Sequence, residues 1–140
     1  MRLSGRWMAA AAGLLLACSS PAEIELSGDV AVELDAFSGL PNPVWTLTPP
    51  EADELARRLR DLPAADGPLD PPEGLGYRGF WIRQTAGGAP ATPALLVHGG
   101  VVRIVPPTGP GELRRDVHGV EAWLVGQARK RGYGGVFDDR

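Results

Sequence analysis

The 140-residue chain has a single cysteine, Cys18, so it holds no intramolecular disulfide and its folded part must be stabilised by apolar burial. Long apolar runs are missing too. The N-terminal apolar stretch, Trp7 to Leu16, is ten residues long, whereas a helix needs about 20 to cross a bilayer core. Basic residues are few: 14 stand against 17 acidic ones, and the only dense basic run is Arg129-Lys130-Arg131. That balance argues against nucleic acid as a partner. No Gly-x-Ser-x-Gly sequence occurs, and no second cysteine offers a thiol nucleophile. The two histidines, His98 and His118, lie 20 residues apart, and two ligands do not make a zinc site. Nothing in the chain demands a cofactor.

What is present begins with Arg2 and Arg6, then the apolar stretch, then Leu14-Leu15-Leu16-Ala17-Cys18. A charged start, a short apolar region and small residues at its end form the pattern of a secretory signal. The last four residues resemble the lipobox of bacterial lipoproteins. That resemblance implies that Cys18 receives a diacylglyceryl group, becomes the mature N-terminus and is then N-acylated. Each buried methylene contributes roughly 0.8 kcal/mol to membrane affinity, and two or three chains on one residue suffice for stable anchoring. On this reading residues 1–17 are a signal peptide, 18–22 a lipidated tether and 23–140 a single domain. The address is the cell envelope. Ser19 stands where an aspartate commonly marks inner-membrane retention, which favours the outer membrane in a Gram-negative cell, and otherwise the outer face of the plasma membrane.

Loss of Arg2 and Arg6 with the signal leaves 12 basic and 17 acidic residues, a formal charge of −5. The 19 glycines and 14 prolines cluster between periodic apolar segments, the pattern of a compact domain with long turns. Val30, Val32, Leu34 and Ala36 alternate with Ala31, Glu33 and Asp35, predicting a strand with one buried face. Ile24 and Leu26 are expected to begin the same sheet, with Ser27-Gly28-Asp29 as the turn. Thr48-Pro49-Pro50-Glu51 is a capping box with proline in the first turn. It opens a helix whose stripe is Ala52, Leu55, Ala56, Leu59 and Leu62, stopped by Pro63.

Residues 63–76 are too rich in proline and glycine for an element. Tyr77 to Thr85 is an aromatic strand, and Gly87 to Pro93 a turn region. Ala94 to His98 and Val101 to Val105 flank Gly99-Gly100, a two-residue hairpin signal, in a register that sets Val97 against Val102 and Leu95 against Ile104. Leu113, Val117, Val120, Leu124 and Ala128 recur at helical spacing through Arg131, with Gly132 just past the end. Asp138-Asp139 is expected in a frayed tail. The order predicts an α+β fold, a small antiparallel sheet with two helices packed on one face.

Several residue sets bear chemistry. His118 and Glu121 would share a helix face as half of a metal site, or simply face solvent. Ser38 could be activated by a distant histidine, or form a turn. Glu33 and Asp35 lie on one strand face and could act on glycosides only within a cleft that separates their pKa values; a solvated face is the plainer reading. If Phe80 and Ile82 point to the core, alternation sets Tyr77, Trp81 and Arg83 on the opposite face, joined there by His98 and Arg103 from the hairpin. Aromatics beside arginines suit flat or anionic ligands such as glycans and peptides; the opposite reading buries Trp81 or covers that face.

The loop Phe37 to Leu47 is stiffened by Pro41 and Pro43. Together with Leu75-Gly76-Tyr77-Arg78-Gly79-Phe80 it is similar to motifs of small uncharacterised bacterial exported proteins, a likeness that implies no activity. Such a loop either presents itself to a partner or joins a strand to a capped helix while Trp45 packs in the core. The leading expectation is a non-enzymatic envelope lipoprotein, bound to the membrane by its lipid and to an envelope protein or cell-wall glycan by its domain. The alternative is a small envelope hydrolase acting on peptidoglycan or peptide through His98 or His118.

Overall fold

The computed structural model describes residues 23–138; the signal segment, Cys18, the tether and Asp139 lie outside them. Six antiparallel strands form one sheet in the order β2-β1-β3-β4-β5-β6. These are β1 (Asp29–Asp35), β2 (Val44–Thr46), β3 (Gly79–Ala86), β4 (Ala89–His98), β5 (Val101–Val105) and β6 (Glu112–Arg115). The helices are α1 (Pro49–Leu59), α2 (Val120–Lys130) and a short α3 (Gly135–Asp138). The fold is α+β.

Strict alternation in β1 turns Val30, Val32 and Leu34 into the core, where each is at most 2% exposed. Phe80, Ile82, Leu95, Val97 and Val102 extend that apolar face across the sheet. Leu55 and Leu59 of α1 and Val120, Leu124 and Ala128 of α2 cover it, so both long helices lie on one side. The hairpin register is as expected, with Val97 opposite Val102 and Leu95 opposite Ile104. Gly99 and Gly100 take φ of 63° and 79°, values that glycine adopts without a Cβ penalty.

Helix ends follow their local chemistry. The Thr48 N–H donates to the Glu51 side chain at 3.0 Å while the Thr48 hydroxyl accepts from the Glu51 N–H, so the capping box is complete. After α2, the Tyr133 N–H bonds the Ala128 carbonyl and the Gly132 N–H bonds the Arg129 carbonyl, the paired closure that a left-handed Gly132 (φ 90°) permits.

Five expectations are corrected. Ile24 and Leu26 pack against the core without joining a strand. α1 ends at Leu59, although Leu62 beyond it is still buried. Residues 89–93 form the first half of β4, with Gly87-Gly88 as the turn. Pro90 is tolerated because β5 pairs only from Ala94 onward, which leaves this stretch with a single neighbour, β3. Leu113 belongs to β6 and Val117 is exposed, because Asp116 starts α2 later: its carboxylate accepts from the Val120 and Glu121 N–H groups at 2.7 and 2.9 Å. Asp138 closes α3 and pairs with Arg129 instead of fraying.

Candidate functional site

Among the described residues, no helix lies on the second face of the sheet. Cross-strand pairing aligns Glu33, Trp81, Leu96, Arg103 and Leu113 in one row across β1, β3, β4, β5 and β6. Trp81 is half-buried. The Arg83 guanidinium lies 5.0 Å from the centre of the Trp81 ring and pairs with Glu33 at 2.5 Å, so ring, cation and carboxylate form a flat, partly open patch. Of the residues assigned to this face from sequence, His98 shares the strand parity but turns its ring to Tyr77, while Trp81, Arg83 and Arg103 are there.

Tyr77 is not. It precedes β3, where Gly79 adopts φ 120° and breaks the alternation. The Tyr77 ring packs instead on Phe80 and Phe137, at 5.7 and 5.2 Å between centroids, and its hydroxyl donates to Glu121 at 2.7 Å. His98 leaves β4 beside Gly79, where an added Cβ would meet the His98 Cβ at 2.8 Å. Its ring reaches Tyr77, with the centroids 5.3 Å apart. His98 therefore leaves the row of Trp81 and joins the ring cluster around Tyr77.

The other half of the face is covered by chain. Ala65 and Arg115 N–H groups bond the carbonyls of Leu113 and Pro63, tying residues 63–65 along β6. The loop then crosses above Leu113, which a Cβ on Gly67 would meet at 3.6 Å. Leu69, Asp70 and Pro71 line a cavity together with Arg103, Ile104, Pro106 and Pro110. Leu96 is 1% exposed and Arg103 8%. Alternation along β5 puts Arg103 on this side, but no periodic signal announces a loop that buries it.

The remaining candidates are occupied. His118 Nδ1 lies 3.0 Å from the Arg58 carbonyl, while Glu121 accepts from Tyr77 and from the Gly100 N–H. The two therefore diverge and do not converge on one point. Among the described residues no group of three or more His, Cys, Asp or Glu side chains is placed to hold a metal ion. Glu33 and Asp35 both accept from the Asn42 amide, at 3.1 and 3.3 Å, and each pairs with an arginine: Arg83 for Glu33 and Arg78 for Asp35. Ser38 is exposed in a bend.

Asn42 was not singled out by sequence reasoning. Its amide oxygen accepts from the Ala36 and Phe37 N–H groups at 3.2 and 3.1 Å, so one side chain fastens the proline loop to the end of β1. An asparagine between two prolines was the only available signal. Trp45 packs at the core, edge-on to Phe80 at 6.4 Å and under Arg131 at 5.0 Å; it lies in β2, which was expected as loop, so the segment joins β1 to the capped helix through an edge strand paired with β1. Its exposed tip carries Leu40. The chain matches none of the protein-family models, curated proteins or solved structures compared with it.

Proposed function

We propose that this chain is a lipid-anchored envelope protein whose domain is a non-enzymatic binding module for a protein partner or cell-wall glycan close to the membrane. The anchor rests on Leu15-Leu16-Ala17-Cys18 and the charged, apolar segment before it. One observation carries the binding half: Trp81 is only half-buried on a sheet face free of helices, with Arg83 over its ring. A partly exposed indole offers flat rings a surface to stack on, and the guanidinium beside it, paired with Glu33 through one nitrogen, keeps further N–H donors for a polar group.

The alternative, an envelope hydrolase, requires a histidine free beside a carboxylate in a cleft. It is less well supported, since His118 is bonded to the Arg58 carbonyl and Glu33 and Asp35 are engaged by Asn42 and arginines. Two measurements test the reading. Cys18→Ser abolishes incorporation of labelled fatty acid; continued incorporation removes the anchor. Trp81→Ala, with the fold verified by circular dichroism, lowers co-sedimentation with isolated cell-wall sacculi and crosslinking to envelope proteins in cells. Unchanged capture removes this face as the site.

A further inference from the structure

Arg103 and Arg114 are both buried arginines of adjoining strands, at 8% and 4% exposure, yet they are provided for differently. Arg114 pairs with Glu112 at 2.7 Å and reaches the Leu62 carbonyl. The Nε and Nη1 of Arg103 are closed off from solvent with no hydrogen-bond partner among the described residues. A buried cation without a counter-charge is costly, because the lost hydration is not replaced. Its retention inside a β-strand calls for a partner from outside the chain.

Space for one lies beside the side chain, although Nε and Nη1 themselves present no surface to water, so a forked bond forms once the guanidinium turns toward that space. Arg103 lines a cavity of about 340 Å³ whose other walls are Leu69, Pro71, Ile104, Val105, Pro106 and Pro110. That is the lower range of small-molecule sites, which combine apolar walls with a few placed polar groups. The guanidinium fork matches a carboxylate in two parallel bonds. Of the two acids at the lining, Glu112 is engaged by Arg114, and Asp70 lies on the exposed loop without reaching ion-pair distance of Arg103.

We propose that this cavity binds a carboxylate borne on a short aliphatic body, with Arg103 as its anchor. The inference deepens the binding-module reading by naming a ligand class, and it concerns a site two strands away from Trp81. A free small acid and the C-terminus of a short peptide share this chemistry.

Calorimetric titration of the purified full-length protein separates them, using isobutyrate, N-acetyl-alanyl-alanine and the C-terminal amide of that dipeptide. Heat with isobutyrate alone supports a free acid, and heat with the dipeptide acid supports a peptide terminus. In either case the neutral amide binds at least about tenfold more weakly, as expected when a charged bond worth roughly 1.5 kcal/mol or more is lost. Arg103→Met removes the charge at similar volume: it loses carboxylate binding while melting no lower than the parent, since an apolar side chain replaces an unpaired cation. Arg103→Lys keeps the charge without the fork and binds at least about tenfold more weakly.

No binding of either acid at millimolar concentration overturns the proposal. Equal binding of acid and amide, or binding retained in Arg103→Met, overturns it as well. Acylation at Cys18 and capture through Trp81 are read in their own assays, so failure here leaves those intact.

Discussion

Replacing Asn42 by alanine tests whether one amide holds the proline loop onto β1. Four bonds disappear: two from the Ala36 and Phe37 N–H groups to Oδ1, and two from Nδ2 to Glu33 and Asp35. Ala36 is 9% exposed, so its N–H is left without an acceptor and little water, at a cost of about 1–3 kcal/mol. Phe37 is less enclosed and regains water. Glu33 and Asp35 keep Arg83 and Arg78, so their loss is about 0.5–1 kcal/mol together.

The expected destabilisation is therefore about 1.5–4 kcal/mol, a large share of the roughly 5–15 kcal/mol by which domains are stable. In urea this lowers the midpoint by about 1–2 M with an unchanged slope. Asn42→Asp is the sharper variant. It preserves an acceptor for the two N–H groups but sets a third carboxylate against Glu33 and Asp35. Repulsion raises the folded-state pKa of the new group above its unfolded value, so the stability it allows is present at low pH and lost as pH rises through that folded pKa. The deficit should shrink between neutrality and about pH 4. A midpoint for Asn42→Ala within about 0.3 M of the parent would refute the reasoning, because the Leu34 N–H to Pro43 carbonyl bond would then hold the loop by itself.

Gly79→Ala should destabilise by more than about 3 kcal/mol in the same urea titration, since a Cβ there would lie 2.5 Å from the Val97 carbonyl oxygen at φ 120°; full expression and an unchanged midpoint would contradict the close approach. Asp116→Ala removes the acceptor of two N–H groups at the start of α2 and should cost about 1–2 kcal/mol, read by denaturation, with Asp116→Asn recovering part of it. The Thr48 N–H bonded to its carboxylate is the foremost reason that Glu51 has a pKa below the ordinary glutamate range, with the Thr48 hydroxyl, Gln127 and Arg131 adding to it. A depressed folded pKa gives stability that is present above the unfolded value and lost as pH falls through the folded one, so Glu51→Gln should flatten the acid limb of stability below about pH 4.3; identical acid limbs would exclude that contribution.

The elements that could be read from the sequence were those whose signals are local. β1 shows its alternation, α1 its capping box and stripe, and the β4–β5 hairpin its glycine pair, because each depends on residues within a few positions of one another. Leu113 was misassigned for a physical reason: Leu113, Val117 and Val120 are spaced like a helix face, yet the Asp116 carboxylate caps α2 and leaves Leu113 free to pair in β6. Tyr77 was misassigned because alternation was extended through Gly79, whose positive φ turns the chain before β3 begins. β2, at three residues, is shorter than any period can resolve. The candidate site divides along the same line. Trp81 and Arg83 follow from strand parity, whereas the burial of Arg103 depends on a loop that ends at Pro71, 32 residues upstream, and carries no periodicity at all. Residues 66–71 reach it because Pro63 and Ala65 just before them bond through their backbone to β6, and backbone bonding of an irregular segment leaves almost no mark on side-chain identity. The same loop that hides Arg103 also walls the cavity beside it, so an arginine that sequence reasoning assigns to an open ligand face lines a part-open cleft under a loop.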